Sequence, residues 1–223
     1  INIKRSRSHY NMAKKLNCLI SAGPTREWID PVRFISNPSS GKMGYALAKE
    51  AHTRGFDVNL VSGPVSIKPV DGIMLTKVET AEEMRRAMIE KYDSSDLIIM
   101  CAAVCDHKPK FKWQQKKKKD QFPQNIEMIP NDDILEELGR RKKEFQSLVG
   151  FAAETENGVQ NALQKLKNKN LDWIALNDIS NKKIGFNSDF NEITLFSSGG
   201  KRVNLDFSKK EDLATQMLEL IIK

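Results

Sequence analysis

The chain has little of several things, and each shortage narrows what it can be. Only three of its 223 residues are cysteines (Cys18, Cys101, Cys105), an odd number at irregular spacing. That suits a reducing cytoplasm better than a disulfide framework. Cys101 and Cys105 have no second ligand pair at a spacing suited to a metal–thiolate site. No apolar run approaches the roughly 20 residues that cross a bilayer, and no apolar stretch follows the basic N-terminus, so neither a membrane span nor a signal peptide is expected. There is no G-x-G-x-x-G after the first strand and no G-x-x-x-x-G-K-[ST].

Positive charge is present but local. Of the formal net charge of +7, the first eleven residues hold Lys4, Arg5 and Arg7 without an acid, leaving +4 for the rest. Residues 1–11 are expected to be an appended or disordered extension ahead of Met12, with one domain over 12–223. Much of the remaining excess lies at Lys116–Lys119. A basic run is ordinarily a solvated loop, although it could also cover a polyphosphate.

The chain is organised around CLISAGPTREWIDPVRFISNPSSGKMG, residues 18–44. Cys18-Leu19-Ile20 reads as a buried strand, a long polar connection follows Gly23-Pro24, and Ser39-Ser40-Gly41 precedes a helix from Met43 to His52. The first N–H groups of a helix lack internal partners and its dipole favours anions there, so Ser39, Ser40 and Gly41 are either a phosphate site or a solvated turn. Further strands are expected at Val58–Val61, Met74–Val78, Leu97–Ala103, Ser147–Ala152 and Trp173–Leu176. Helices are expected at Thr80–Tyr92, opened by a capping box, at Ile134–Phe145 and at Asn157–Asn168. Glu192–Phe196 and Val203–Leu205 flank a Gly-Gly turn as a hairpin, and Lys209–Lys223 closes the chain as a helix. Residues 107–124 have no period and read as a flexible, lysine-rich flap. This order argues for an α/β fold: a three-layer, Rossmann-like domain with a mostly parallel central sheet and a small antiparallel hairpin. Its ligand crevice should lie at the carboxyl ends of the strands.

On the residues alone, Asp106 is either a ligand for a base or ribose or a strand-end cap. Asn37 is an amide donor or ordinary turn chemistry before a proline. Lys165 and Lys169, four apart on a helix, read as a solvated face.

GPTREWIDPVRFISNPSSGKMG, CAAVCD, the lysine run, GFAAETEN and NDIS…GFNSDFNEITLF occur in the order and spacing of phosphopantothenoylcysteine synthetase, the phosphopantothenate–cysteine ligase of coenzyme A biosynthesis. The chain resembles that family from about Leu16 onward. Many bacterial members are fused behind a flavin-dependent decarboxylase; this length leaves no room for one, so either a free-standing synthetase or an excised domain is expected. The resemblance implies two half-reactions: the 4′-phosphopantothenate carboxylate attacks a nucleoside triphosphate to give an acyl-nucleotidylate and pyrophosphate, and L-cysteine then displaces the nucleotide. Ala102-Ala103-Val104-Cys105-Asp106 is similar to the CTP-using bacterial type.

By position, the resemblance places the cytosine and ribose on Asp106 and the backbone of Met100, Cys101 and Ala102. Asn131, Asp132, Asp133, Ile134 and Phe151 complete that pocket with Lys165 and Lys169. Lys116 becomes the flap lysine over the triphosphate, Asn37 the donor to the acyl carbonyl, and Arg33 a participant in the second half-reaction. It also implies Mg²⁺ on the phosphates, a cytoplasmic homodimer paired through the hairpin and flap, and no nucleic-acid or membrane partner. Three departures stand out: the family's usual K-I-K-K is all lysine here, Pro38 replaces a bulkier or polar residue, and Cys105 replaces a small alanine beside Asp106. Two rivals make different predictions. An NAD(P)-dependent Rossmann enzyme lacks its glycine fingerprint here. A nucleic-acid module using the lysines near Phe111 and Trp113 would bind with a steep salt dependence.

Overall fold

The structure, a computed structural model, describes residues 15–178 and 188–222. The 1–11 extension and residues 179–187 of the last family segment lie outside them. In chain order the elements are β1 (Asn17–Ala22), β2 (Arg26–Trp28), β3 (Phe34–Ser36), α1 (Lys42–Thr53), β4 (Asp57–Ser62), β5 (Met74–Lys77), α2 (Ala81–Tyr92) and β6 (Leu97–Met100). They continue with β7 (His107–Pro109), a 3₁₀ turn (Lys119–Gln121), β8 (Met128–Pro130), α3 (Ile134–Arg141), β9 (Ser147–Glu154), α4 (Gly158–Asn168), β10 (Trp173–Asp178), β11 (Phe190–Ser197), β12 (Arg202–Lys209) and α5 (Lys210–Ile221).

Eight strands form one sheet in the order β12-β11-β10-β9-β6-β1-β4-β5. It is parallel from β10 to β5, and β11 and β12 add an antiparallel hairpin at the other edge. The apolar runs without alternation explain why the inner strands lie buried on both faces. Cys18, Ile20, Ile99, Val149 and Ala175 pack under α1 and α5. Their neighbours Leu19, Ile98, Leu148 and Ile174 pack under α2, α3 and α4. The expected three-layer α/β architecture is the one observed.

Several elements differ from the sequence expectation. The connection after β1 folds part of itself into the β2–β3 ladder, Arg26 opposite Ser36. The flap is not irregular throughout, because its base is the β7–β8 ladder, His107 opposite Pro130. Strands of three residues show no readable period. β6 stops at Met100 rather than Ala103, since the backbone there leaves the sheet to bond with the loop after β1, Ala103 N donating to Gly23 O at 2.9 Å. α3 stops at Arg141, and Gln146 then turns inward to donate to Tyr92 O at 2.7 Å and Ser95 O at 3.0 Å.

The strand order reverses at β1. β4 and β5 extend to one side of it, while β6, β9 and β10 extend to the other. The loops after β1 and β6 therefore diverge, opening a crevice at the carboxyl edge. Gly63 fixes the top of β4 close to this point. A Cβ there would lie 1.7 Å from Pro24 O, so only glycine lets the two loops cross.

Candidate active site

A cleft of about 610 Å³ occupies that crevice. Each candidate site residue except two lines it: Asn37, Ser39, Ser40, Gly41, Met100, Cys101, Ala102, Asp106, Asn131, Asp132, Asp133, Ile134, Phe151, Lys165 and Lys169. The exceptions are Arg33 and Lys116. They line a separate cavity of about 500 Å³ with Lys117, Lys118, Lys119 and Phe122.

One wall is the N-terminus of α1. Gly41 sits in the left-handed region (φ +78°) and no side chain caps the helix. Glycine tolerates that backbone, and the first-turn N–H groups are left directed along the axis toward the cleft. Ser39 Oγ accepts from Gly41 N at 3.3 Å, which shapes the turn. The sequence-level anion site thus borders the cleft.

The floor spans the switch point. Asn37, from the loop after β1, donates through Nδ2 to Ala103 O at 3.2 Å and Val104 O at 3.0 Å, in the loop after β6. Asn131 mirrors it from the far side: Nδ2 donates to Cys105 O at 2.9 Å, and its backbone N to Asp106 O at 2.8 Å. These bonds hold the 100–106 backbone as a shelf, with the Asp106 side chain exposed at its end. Burial pushes the Cys101 thiol up to about 12, despite nearby Lys210, so it borders the cleft as a neutral thiol.

The other wall carries a cation pair. α3 is capped by Asp133, whose Oδ1 accepts from Glu136 N at 2.9 Å. Its Oδ2 pairs with Lys169 Nζ from α4. Burial opposes ionisation of Asp133, but Lys169 and the Glu136 amide outweigh it and hold its pKa below the usual value. Lys165 donates to Phe151 O at 3.3 Å. Burial, then the like charge of Lys169, lowers its pKa from the ordinary lysine value. The solvated-face reading of these two lysines is therefore corrected: α4 turns them toward the cleft. Spacing revealed that they share a face, but not which way the face points.

Arg33 is engaged elsewhere. Its guanidinium donates to Asp30 Oδ2 and to Lys117 O at 2.9 Å, and lies 3.9 Å from the centre of the Phe122 ring. Asp30 is wholly buried and also accepts from Val32 N and Arg33 N, each at 2.9 Å. The Arg33 bond, then these backbone donors, hold its carboxyl well below the usual carboxylate range. Trp113 N donates to Ile29 O at 3.0 Å, so the flap is tied to the β2–β3 hairpin. Asp30 was missed in the sequence, where it lay within the long polar connection after Gly23-Pro24.

Three further cleft residues were missed: Asn177, Asn191 and Lys210. Asn177 and Asn191 fall inside the last family segment, but neither was given a role there, and Lys210 lies in no quoted motif. Among the described residues, no group of three or more His, Cys, Asp or Glu could hold a metal ion. No helix among them is long and apolar enough to cross a membrane.

Comparison with known proteins gives this geometry a family. The DNA/pantothenate metabolism flavoprotein C-terminal domain model matches residues 13–223, and the chain belongs to that family. Coenzyme A biosynthesis bifunctional protein CoaBC of Bacillus subtilis is 46% identical over 204 residues, 91% of this chain and 50% of that protein. The protein of the same name from Escherichia coli K12 is 43% identical over 218 residues, 96% of this chain and 53% of that protein. The chain spans about half the length of the curated relatives it matches. A crystal structure of the C-terminal domain of CoaBC has the same fold, with a TM-score of 0.79 and 39% identity over 92% of this chain and 93% of that one.

Proposed function

We propose that this family member is a phosphopantothenate–cysteine ligase, joining 4′-phosphopantothenate to L-cysteine through an acyl-cytidylate and releasing CMP and pyrophosphate. The observation that carries the reading is the cleft itself. It sits at the switch point, with an uncapped helix N-terminus on one wall and the Lys165–Lys169–Asp133 cluster on another. The relatives' name, a bifunctional protein of coenzyme A biosynthesis, supports the same chemistry. Activation is needed because a carboxylate oxygen is a poor leaving group, whereas a nucleoside monophosphate is a good one.

In this reading CTP lies along the shelf. Its base and ribose meet Asp106, the Met100–Ala102 backbone, Asn131 to Ile134 and Phe151. Lys165 and Lys169 supply positive charge, and the α1 N-terminus at Ser39–Gly41 takes phosphate. Asn37 presents an amide at the acyl carbon, and Lys116 on the flap covers the phosphates. Arg33 takes part in the cysteine half-reaction by holding that flap. Lys116 and Arg33 line the second cavity, so the flap must move for Lys116 to reach the cleft. Asp106 and Asp132 offer two carboxylates rather than a cage. That suits Mg²⁺, which keeps waters and rides on substrate phosphates while taking only one or two protein carboxylates.

The same reading makes the protein a cytoplasmic homodimer. Supporting this, Phe190 and Phe207 stack with ring centres 5.2 Å apart on the outer hairpin, and both are exposed. Phe111, Val32, Phe34 and Ile35 are exposed around the flap and β2–β3. Cys18, Cys101 and Cys105 are free thiols, as a reducing compartment allows.

Pyrophosphate release with 4′-phosphopantothenate, L-cysteine and either CTP or ATP tests the proposal. Release with CTP is expected. Release with ATP alone would remove CTP but keep the ligase, and no release with either nucleotide overturns it.

A further inference from the structure

One peptide unit of the shelf is gripped at both ends from the loop after β1. Val104 O accepts from Asn37 Nδ2 at 3.0 Å, and Cys105 N, the other half of the same unit, donates to Thr25 Oγ1 at 2.9 Å. A trans peptide is planar with its C=O and N–H on opposite edges, so these two bonds fix its tilt. Thr25 is wholly buried and Cys105 is 5% exposed, so water is no substitute for that hydroxyl. β6 has already ended at Met100, and here side-chain bonds take over from strand pairing.

Thr25 reaches Asn37 by two further routes. Ser36 Oγ donates to Thr25 O at 2.8 Å, and Ser36 directly precedes Asn37. Thr25 N donates at 3.4 Å to Ala103 O, the carbonyl that Asn37 Nδ2 also reaches, at 3.2 Å. An amide nitrogen carries two hydrogens, and the shelf takes both. To donate to a substrate carbonyl, Asn37 must release one of them. Its bond to Ala103 O is the longer of the two, and Ala103 O keeps Thr25 N when that bond goes. The bond to Val104 O then becomes the pivot that aims the freed hydrogen. The direction of that pivot is set by the peptide that Thr25 holds.

We propose that Thr25 is the positioning residue for Asn37: its hydroxyl sets the plane of the Val104–Cys105 peptide, and with it the direction in which Asn37 presents an amide hydrogen to the acyl carbonyl. This rests on the ligase reading and deepens its second half-reaction. Thr25 lies behind the shelf and acts only through Asn37.

The test separates the two half-reactions in the full chain. Enzyme, saturating CTP and 4′-phosphopantothenate are mixed and the acyl-nucleotidylate is followed; saturating L-cysteine is then added and its decay is followed. Both are first-order rate constants, so a partly misfolded preparation does not change them. Thr25→Val keeps the shape and removes the acceptor, and should slow decay roughly 10-fold while formation stays within about 3-fold of wild type. Thr25→Ser restores the hydroxyl and should return decay to within about 3-fold. Thr25→Val combined with Asn37→Asp should decay no more slowly than Asn37→Asp alone, as two residues acting as a unit do. If Thr25→Val does not fold, Ser36→Ala, which removes only the support of Thr25 O, should slow decay roughly 3-fold with formation unchanged. Wild-type decay in the variant that folds, an equal slowing of both steps, or an additive loss in the double variant overturns the positioning role and leaves the ligase intact. Wild type that forms no acyl-nucleotidylate overturns the ligase reading instead.

Discussion

Arg33 closes on Asp30 with both Nε, at 2.9 Å, and one terminal nitrogen, at 2.5 Å, reaching the same oxygen, Oδ2. The terminal nitrogen also donates to Lys117 O, so one guanidinium joins the hairpin after β1 to the flap. Arg33 is thus built as a clamp, which gives a family-derived functional residue a mechanical role.

The clamp should be measurable without any substrate. Arg33→Ala and Asp30→Asn should both speed trypsin cleavage within Lys116–Lys119, by roughly 10-fold, because each frees the same contact. Cleavage unchanged in both variants would mean that the flap is held by Trp113 and Phe122 alone. Acid should loosen the clamp in a defined direction. The Asp30 pKa is lowered on folding, so its contribution is present above the unfolded carboxylate value, near 3.9, and is lost as pH falls through the lower folded one. Asp30→Asn should remove that acid-side component from an unfolding titration.

Asn37 bridges two backbone carbonyls across the switch point, and an aspartate there would face both without a proton to donate. Asn37→Asp should therefore lower overall turnover by roughly 100-fold, on the scale of removing one preorganised donor. Formation of the acyl-nucleotidylate should continue, and the intermediate should accumulate in the presence of cysteine. Quenched reactions resolved by chromatography would reveal it. Normal turnover would remove Asn37 from the mechanism.

The layers of the fold were legible because buried parallel strands such as Leu97–Met100 and Ser147–Ala152 are apolar on both faces. The three-residue strands β2, β3, β7 and β8 were not, since a ladder that short is set by tertiary contacts such as Ala103 N to Gly23 O. The site divided the same way. Ser39–Gly41 could be read from helix-terminus physics; Asn37 and Asp106 stayed ambiguous until family resemblance chose between their readings, and Arg33 came from that resemblance only. Asn177 and Asn191 sat in the last family segment without a role of their own, and Lys210 was read from neither, because what distinguishes all three is burial, and burial of a polar residue leaves no pattern in sequence.

The lysine run poses a question of register. Lys117 is held at its backbone, N donating to Asp30 Oδ2 at 3.4 Å and O accepting from Arg33, and its ammonium lies 5.9 Å from the centre of the Trp113 ring. Lys116 is exposed beside it. The residue that anchors the flap is therefore not the one left to reach the phosphates. Lys116→Gln should slow turnover roughly 100-fold with little change in trypsin sensitivity of the remaining run, whereas Lys117→Gln should cost less than 10-fold. An equal loss at both positions would shift the register by one.

Lys165 gives a prediction in which stability and function move in opposite directions. At neutral pH it is a charged amine with little water, next to the like charge of Lys169, which is why its pKa is lowered. A base whose pKa falls on folding binds fewer protons in the folded chain than in the unfolded one. Its burden on stability is thus full at neutral pH and is relieved as pH rises from the lowered folded value toward the unfolded one, near 10.4. Lys165→Met keeps most of the buried stem and discards the charge, so at pH 7 it should raise Tm by about 2 °C. In wild type, bound nucleotide stabilises by mass action, and the same variant should lose most of that added Tm because a cation facing the phosphates is gone. Thermal unfolding at pH 7 and pH 10, with and without CTP, separates the two effects. The gain in the free protein should shrink at pH 10, where the wild-type amine is already partly neutral. A free-protein Tm that falls at pH 7 would show that Lys165 is held by its bond to Phe151 O more strongly than burial opposes it.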